Sequence, residues 1–256
     1  MEHRRPLIAG NWKMYKTPDE AAETARQLVE RVAGVTDVDI MIAPTFTALA
    51  PVFKVIQNSP VALGAQNLFW ENEGAYTGEI SAAMLKSVGC RYCIIGHSER
   101  RQYFGETDET VNKKIQAAIQ VGLKPVFCVG ETEKERESKQ TLSVLDKQVK
   151  KGLEGLGSDQ LDMLIIAYEP VWAIGTGKTA TDAQAQEVHQ FIRSLVEKNF
   201  GNALSDSIRI LYGGSAKPDN IAGLMSMPDI DGGLVGGASL DADSFSEIIR
   251  FLQYKK

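Results

Sequence analysis

The sequence has few of the residues that build metal centres and disulfide frameworks, with three histidines and three cysteines in 256 residues. Cys90 and Cys93 form a lone C-x-x-C pair, and no second pair of ligands has the spacing that a structural zinc site needs. A redox pair would stand at the start of a helix, whereas Tyr92 and Cys93 open an apolar run. We therefore predict buried structural cysteines and no metal site.

Long apolar runs are also missing, since no stretch approaches the roughly 20 residues that a membrane-spanning helix needs. The basic start, MEHRR, precedes a run, Pro6–Ala9, that is too short for the apolar part of a signal peptide. The net charge of −5 argues against a sequence-wide attraction to nucleic acid or anionic lipid. We expect a soluble, cytoplasmic protein without nucleic-acid or membrane partners.

Short apolar runs alternate with segments of helical periodicity along the chain. Eight of these runs are strand candidates, and most of them are continuous rather than alternating, which is typical of parallel strands that are covered on both faces. They are Leu7–Ala9, Val38–Ala43, Val61–Ala65, Tyr92–Ile95, Val126–Val129, Leu164–Tyr168, Ile208–Tyr212 and Gly233–Val235. Capping boxes predict helix starts at Thr17 and Thr181, and the helices after the second, third and seventh strands are predicted to be shorter.

Eight strand–helix units predict an α/β fold, a closed (β/α)8 TIM barrel with a single domain over residues 1–256. A doubly wound open sheet is the alternative, and eight units in about 250 residues favour the barrel. The charged stretch Glu131–Lys139 is expected to be a solvated loop and helix start. In such a barrel, functional residues lie in the loops after the carboxyl ends of the strands.

Polar residues follow three of the predicted strands at these ends. Glu169 comes directly after Leu164–Tyr168, where a carboxylate is either a structural ion pair or a functional base. His97 precedes a segment that could begin a short helix, which would disfavour the imidazolium; a structural histidine is the alternative. Lys13 alone could be merely solvated, but the three groups at one barrel mouth favour proton-transfer chemistry.

Two glycine-rich segments follow the last two strands. They are Gly213–Ser215 and Gly236–Gly237, where backbone N–H groups could hold a phosphate; ordinary turns are the alternative. The segment Pro170–Ala180 has an apolar middle followed by glycines, and could close over a ligand. The GKT triplet at 177–179 is similar to the end of a nucleotide-binding loop, but Trp172 stands where that loop needs glycine.

Five segments, in order and with matching spacing, carry a resemblance to one family. They are GNWKM at Gly10–Met14, GHSERR at Gly96–Arg101, AYEPVWAIGTGKTA at Ala167–Ala180, YGGS at Tyr212–Ser215 and GGASL at Gly236–Leu240. Over its whole length the chain resembles the triosephosphate isomerase family. The resemblance implies an enzyme of glycolysis and gluconeogenesis that interconverts dihydroxyacetone phosphate and D-glyceraldehyde 3-phosphate through an enediolate, without a cofactor.

The resemblance also implies the roles of individual residues. Glu169 matches the family's general base, His97 its electrophile, and Lys13 the lysine that stabilises developing negative charge. Asn11 lies beside the substrate and completes the implied catalytic set. The implied substrate-binding residues are Asn11, Lys13, Gly175, Ser215, Gly236 and Gly237.

Supporting residues and a partner are implied in the same way. Glu99 matches a glutamate near the site, and Cys128 a cysteine behind it. The family is typically homodimeric, and Thr77, in the long connection Gln66–Glu79, would reach toward the partner's active site. The expected partners are therefore a triose phosphate and a second copy of the chain.

Two other functions stay open from the residues themselves. A Schiff-base aldolase needs a desolvated lysine inside the barrel, and Lys13 is its one strand-end candidate. A non-catalytic phosphosugar-binding protein on the same fold is the second. The chain departs from the family where Tyr15 and Ala216 replace the common asparagine and valine, and neither position carries a proposed catalytic group.

Overall fold

Eight parallel strands close into a barrel in the computed structural model, which describes residues 4–173 and 179–254. The strands are β1 (Leu7–Asn11), β2 (Asp39–Ala43), β3 (Val61–Ala65), β4 (Tyr92–Ile95), β5 (Lys124–Val129), β6 (Ile165–Tyr168), β7 (Arg209–Tyr212) and β8 (Gly232–Val235). Each pairs with the next along the chain, and β8 pairs with β1. The predicted (β/α)8 barrel is therefore confirmed, and each predicted run matches one strand.

Helices connect the strands on the outside of the barrel. They are α1 (Pro18–Arg31), α2 (Leu49–Ile56), α3 (Ala82–Val88), α4 (Ser98–Tyr103), α5 (Asp108–Gln120), α6 (Glu133–Glu137), α7 (Thr141–Gly152), α8 (Asp182–Phe200), α9 (Asn202–Ser207), α10 (Ile221–Leu224) and α11 (Ala242–Ile249). The helices after β2, β3 and β7 are short, as predicted, with eight, seven and four residues. No helix of the described ranges is long and apolar enough to cross a membrane.

Hydrogen bonds at the predicted capping boxes fix where α1 and α8 begin. The Glu20 carboxylate accepts the Thr17 backbone N–H at 2.8 Å. At α8, Thr181 Oγ1 accepts the Gln184 N–H at 3.2 Å, and the Gln184 amide oxygen accepts the Thr181 N–H at 3.0 Å. Such caps contribute about 1 kcal/mol each. The second one sets the end of the loop that follows β6.

The strands are apolar on both faces because each face contacts a separate core. Side chains such as Leu7 and Val126 fill the barrel interior, while Ile8 and Phe127 pack against the helices. This alternation explains why the runs read as continuous. Fully burying such a side chain stabilises the fold by about 1.5–3 kcal/mol. With the interior filled, a ligand site lies at the end of the barrel.

The three cysteines agree with the structural interpretation. Cys90, Cys93 and Cys128 are all buried and unpaired. Burial raises the pKa of the Cys90 thiol to about 12, so that thiol is uncharged at neutral pH. Among the described residues no group of three or more His, Cys, Asp or Glu side chains could hold a metal ion.

Candidate active site

A pocket of about 360 Å³ opens at the carboxyl ends of β1, β4, β7 and β8. It is lined by Asn11, Lys13, Tyr15, His97, Gly213, Gly214, Ser215, Ala216, Lys217, Leu234, Gly236, Gly237, Ala238 and Leu240. The volume suits a small metabolite. Asn11, Lys13, His97, Ser215 and the Gly236–Gly237 pair are thus brought together from distant parts of the sequence.

The backbone at the end of β1 is held in an uncommon conformation. Lys13 has a φ of 51°, in the left-handed region that side chains other than glycine rarely adopt. Asn11 Oδ1 accepts the Lys13 N–H at 3.0 Å, and Gln66 Nε2 donates to the Lys13 carbonyl at 2.8 Å. These bonds fix the strained residue, and Lys13 Nζ lies 2.5 Å from Glu99 Oε1.

Gln66 is a site residue for which the sequence interpretation assigned no role. Its amide also donates to the Ala43 carbonyl at 2.8 Å, and so joins the ends of β1 and β2. Gln66 directly follows β3, at the rim where the other polar residues lie, and this position in the sequence could have indicated a role in the site. Gln66 therefore positions Lys13 through the main chain.

His97 stands between β4 and α4 and caps the helix with its own ring. Nδ1 accepts the Glu99 backbone N–H at 3.2 Å, and Nε2 lies 2.9 Å from Glu169 Oε1. The short helix that the sequence indicated after His97 is present. Because Nδ1 accepts a bond, a neutral ring carries its proton on Nε2, where it can donate.

Glu169 follows β6 and is almost fully buried, with 2% of its surface exposed. Its Oε2 accepts the Ser98 backbone N–H at 2.9 Å, and its Oε1 the Ser98 hydroxyl at 3.2 Å. Burial raises the pKa of Glu169, but His97 and Ser98 lower it more, so it lies below its usual value. Ser98 was another residue without a predicted role, although it directly follows His97.

The pKa of His97 moves opposite to the expectation from the helix start alone. Burial lowers this pKa, but the charge and hydrogen bond of Glu169 raise it more, so it lies above its usual value. The prediction considered only the helix, which faces Nδ1. The carboxylate at Nε2 comes from β6, far away in the sequence, and in this arrangement it dominates.

A second cavity, of about 550 Å³, lies on the other side of Glu169. Its walls are Gly96, Ser98, Arg101, Gln102, Gly130, Thr132, Glu133, Glu135, Gln148, Glu169, Val171 and Trp172. Glu169 lines this cavity and not the pocket that holds Lys13 and His97. In this conformation the carboxylate is thus directed away from the pocket.

Glu131 is buried, so the prediction of a solvated stretch was wrong for this residue. Its Oε1 accepts hydrogen bonds from Arg136 at 2.9 Å, Tyr168 at 3.1 Å and Trp172 at 3.0 Å. Charge runs are usually solvated, but these three donors compensate part of the cost of burying the carboxylate, whose Oε2 has no hydrogen-bond partner among the described residues. Glu131 thereby connects the end of β6 to the loop that follows it.

The other residues that the sequence predicted for the site are Cys128, Thr77 and Gly175. Cys128 is buried, and burial followed by the nearby charge of Glu169 raises the pKa of its thiol well above the usual value. Thr77 is exposed in the loop after β3, where its predicted role at a partner's site stays a prediction. Gly175 and residues 174–178 of the predicted closing loop lie outside the described residues.

Comparison with known proteins covers nearly the whole chain. The model of the triosephosphate isomerase family matches residues 6–252. The triosephosphate isomerase of Geotalea uraniireducens is 57% identical over 248 residues, 97% of this chain and 99% of the relative. That of Carboxydothermus hydrogenoformans is 58% identical over 247 residues, 96% and 98% of the two chains. The crystal structure of the Bartonella henselae enzyme is 40% identical, with a TM-score of 0.88, and covers 97% and 99%.

Proposed function

The chain belongs to the triosephosphate isomerase family, and from this premise we propose that it interconverts dihydroxyacetone phosphate and D-glyceraldehyde 3-phosphate. One observation carries the proposal. A buried carboxylate, Glu169, contacts an imidazole, His97, at 2.9 Å beside a pocket that holds a lysine, Lys13. A base, a hydrogen-bond donor and a cation are the groups that proton transfer next to a carbonyl requires.

Each catalytic group has one task in the proposed reaction. Glu169 removes a proton from the hydroxyl-bearing carbon beside the carbonyl, and the electron pair moves to the carbonyl oxygen. His97 donates a hydrogen bond to that oxygen, and the Lys13 ammonium stabilises the enediolate, with Asn11 beside it. The hydroxyl proton passes to the former carbonyl oxygen, a transfer that His97 Nε2 mediates by giving its proton to one oxygen and taking one from the other. Glu169 then returns its proton to the former carbonyl carbon, which leaves the aldehyde at the neighbouring carbon. A positioned base typically contributes about 10²–10⁴-fold, and one preorganised donor about 10²–10³-fold.

The proposed base has to leave Ser98 before it can act. Its carboxylate borders the second cavity, so the side chain must rotate into the pocket when substrate binds. This rotation also removes the contact that does most to raise the pKa of His97, and leaves burial and the charge of Lys13, which lower this pKa, against the charge of Glu99. The imidazole is then neutral, with its proton on Nε2, when it is needed as a donor.

The phosphate of the substrate is proposed to lie at the β7–β8 side of the pocket. Ser215, Gly236 and Gly237 line this side. Within the described part of the chain, no heavy atom other than those of its chain neighbours lies within 4 Å of the position that a Cβ on Gly237 would take, so the described residues leave room for a ligand at this end. Gly175, outside the described residues, would complete the phosphate contacts.

We also propose that the protein is a homodimer. Large apolar side chains are exposed in the segments that follow β1, β2, β3 and β4, which are neighbours in the barrel. They are Met14, Phe46, Tyr76, Tyr103 and Phe104, here called the β1–β4 rim. An exposed apolar surface of this kind suits a second copy of the chain. Thr77, next to Tyr76, would then approach the partner's pocket.

A cytoplasmic location is proposed on the basis of cysteine chemistry. All three thiols, at Cys90, Cys93 and Cys128, are unpaired and buried. Free buried thiols suit a reducing compartment. Fractionation of cells that express the tagged chain, followed by immunoblotting, tests this location, and recovery outside the cytoplasm would contradict it.

The reaction is tested with purified protein and glyceraldehyde 3-phosphate, by coupling the ketose product to its reduction. We expect fast turnover in the wild type and a fall of about 10²–10⁴-fold or more in Glu169→Gln. Glu169→Asp, which keeps the carboxylate but shortens it, should lie between the two. Absence of turnover by folded wild-type protein would refute the proposed function.

A further inference from the structure

Lys217 stands at the rim of the candidate active site, between two adjoining depressions. It lines the catalytic pocket and also a shallow groove of about 680 Å³ that shares Gly237 and Ala238 with it. Its backbone is fixed by a turn, since its N–H donates to Asn220 Oδ1 at 2.8 Å and its carbonyl accepts the Ile221 N–H at 3.0 Å. The exposed side chain therefore projects from a defined point on the rim.

The charge of Lys217 is uncompensated, unlike that of the other lysine in the pocket. Lys13 pairs with Glu99 at 2.5 Å. Within residues 4–173 and 179–254, the Lys217 ammonium makes no ion pair or hydrogen bond. Among the described residues, and in this conformation, no Asp or Glu side chain lines the catalytic pocket. Lys217 thus supplies a positive charge at the entrance of the pocket that is not neutralised by a described carboxylate.

The outer groove, unlike the pocket, is lined by acidic side chains. Asp219 and Asp241 both line it. Asp241 caps α11 by accepting the Ser244 N–H at 2.9 Å, which holds its carboxylate at the groove. Two carboxylates thus line the outer groove, and the unpaired Lys217 ammonium stands between them and the pocket. An anion that approaches this side is directed inward.

We propose that Lys217 is a further substrate-recognition residue, which attracts the phosphate dianion of the substrate to the entrance of the pocket. The inference rests on the proposed function and deepens it. The attraction acts on a double charge, and over the width of the rim it is only partly screened, because the Debye length is about 10 Å at 0.1 M salt. The ammonium lies at the rim rather than at the reacting carbons, so it changes kcat/KM and leaves kcat nearly unaffected.

The test compares Lys217→Gln with Lys198→Gln, which changes the net charge equally. Lys198 is exposed in the last turn of α8, at the opposite end of the barrel. At an ionic strength of about 10 mM we expect Lys217→Gln to lower kcat/KM about three- to fivefold. At about 300 mM the difference should nearly vanish. At both ionic strengths kcat/KM of Lys198→Gln should equal that of the wild type. Lys217→Arg, which keeps the positive charge, should have the wild-type kcat/KM.

Two further measurements complete the test. Asp219→Asn, two residues away, should raise kcat/KM slightly at low salt, since it removes an opposing charge. The dissociation constant of inorganic phosphate, measured by calorimetry, should increase in Lys217→Gln about as much as kcat/KM decreases. This binding measurement does not depend on turnover, so an inactive wild type would refute the proposed function while still testing Lys217.

Three results would overturn the proposed role of Lys217. Equal losses in Lys217→Gln and Lys198→Gln would mean that net charge, not position, is responsible. Unchanged kcat/KM and unchanged phosphate affinity in Lys217→Gln would remove the role altogether. A loss that appears in kcat and persists at high salt would indicate a structural or catalytic effect instead of attraction.

Discussion

Glu169 Oε1 lies 2.9 Å from Nε2 of His97, so the proposed base and the proposed electrophile form one coupled pair. Each shifts the pKa of the other, with that of Glu169 lowered and that of His97 raised. The pair stabilises a charged carboxylate in a buried position that would otherwise disfavour it. A change in one of the two residues should therefore shift the pKa of the other.

Replacing His97 should move the acid side of the pH profile. In the free enzyme, kcat/KM falls at low pH when Glu169 becomes protonated. His97→Gln removes the charge and hydrogen bond that do most to lower the pKa of Glu169, so burial, which raises this pKa, is opposed only by the Ser98 hydrogen bonds. The acid limb should therefore shift to higher pH, together with a loss of about 10²–10³-fold in kcat. The measurement is kcat/KM of both proteins across the acid range.

Ser98→Ala is the matched control for this shift. It removes only the hydroxyl bond to Glu169 at 3.2 Å and keeps the imidazole and the backbone N–H bond. The acid limb should move in the same direction but less far. A limb that stays in place in His97→Gln, or moves to lower pH, would contradict the coupling.

His189 should make the folded state sensitive to acid. Its ring is fully buried in α8 beside Tyr168 and Tyr212, and burial lowers its pKa to about 3. The unfolded chain binds this proton near pH 6.5, so stability is present above that value and is lost as the pH falls toward 3. Between pH 7 and pH 5 this one group should cost about 2 kcal/mol of the free energy of unfolding.

Urea unfolding at the two pH values measures this contribution. In His189→Gln, which cannot titrate, the loss between pH 7 and pH 5 should be smaller than in the wild type by about 2 kcal/mol. The variant is expected to be less stable than the wild type at pH 7, so the comparison uses the difference between the pH values. An equal loss in both proteins would show that other groups cause the acid sensitivity.

Much of the fold could be predicted because the barrel buries both faces of each strand. Continuous runs such as Val61–Ala65 and Tyr92–Ile95 coincide with β3 and β4 in both bounds. The end of a strand is harder to predict where polar residues continue the hydrogen-bonded pairing beyond the apolar run. β1 extends to Asn11, whose side chain then turns to the Lys13 N–H.

Only part of the site could be predicted, because contacts between loops that are distant along the chain leave no pattern of spacing in the sequence. The strand-end positions and the family motifs identified Glu169, His97 and Lys13. The contacts that hold them come from Gln66 and Ser98, whose side chains are ordinary in sequence. Glu131 shows the same limit, since its three hydrogen-bond donors come from α6, β6 and the loop after β6.

The proposed dimer is tested by placing a charge on the β1–β4 rim. Met14, 92% exposed, directly follows Lys13. Met14→Arg should give a monomer in analytical ultracentrifugation, since a charge would be buried without a partner. Turnover should fall about 10²-fold, because without the proposed interface the strained backbone of Lys13 would be held only by its hydrogen bonds with Asn11 and Gln66. Leu142→Arg, at an exposed leucine of α7, is the control and should stay dimeric. A wild type that sediments as a monomer would refute the proposal.

The last prediction concerns the seam between β7 and β8, which share a single pair, Tyr212 with Gly233. Asp231 reinforces this seam, because its Oδ2 accepts the Ile210 N–H at 2.8 Å and the Arg193 guanidinium at 2.6 Å. Asp231→Ala should cost about 3 kcal/mol, since it leaves the buried Ile210 N–H without its acceptor and takes one carboxylate away from Arg193 and from Arg4, although Arg193 keeps Asp229 at 2.7 Å.

The exposed pair of Asp146 and Lys150 on α7 provides the matched control for Asp231. Asp146→Ala removes a carboxylate at a similar distance from its cation, but in solvent, and should cost less than about 0.5–1 kcal/mol. Urea unfolding of the two variants at neutral pH separates burial from ion pairing as the source of the effect. If both variants lost the same stability, the Asp231 carboxylate would not be closing the barrel, and the seam would be held by the apolar cores alone.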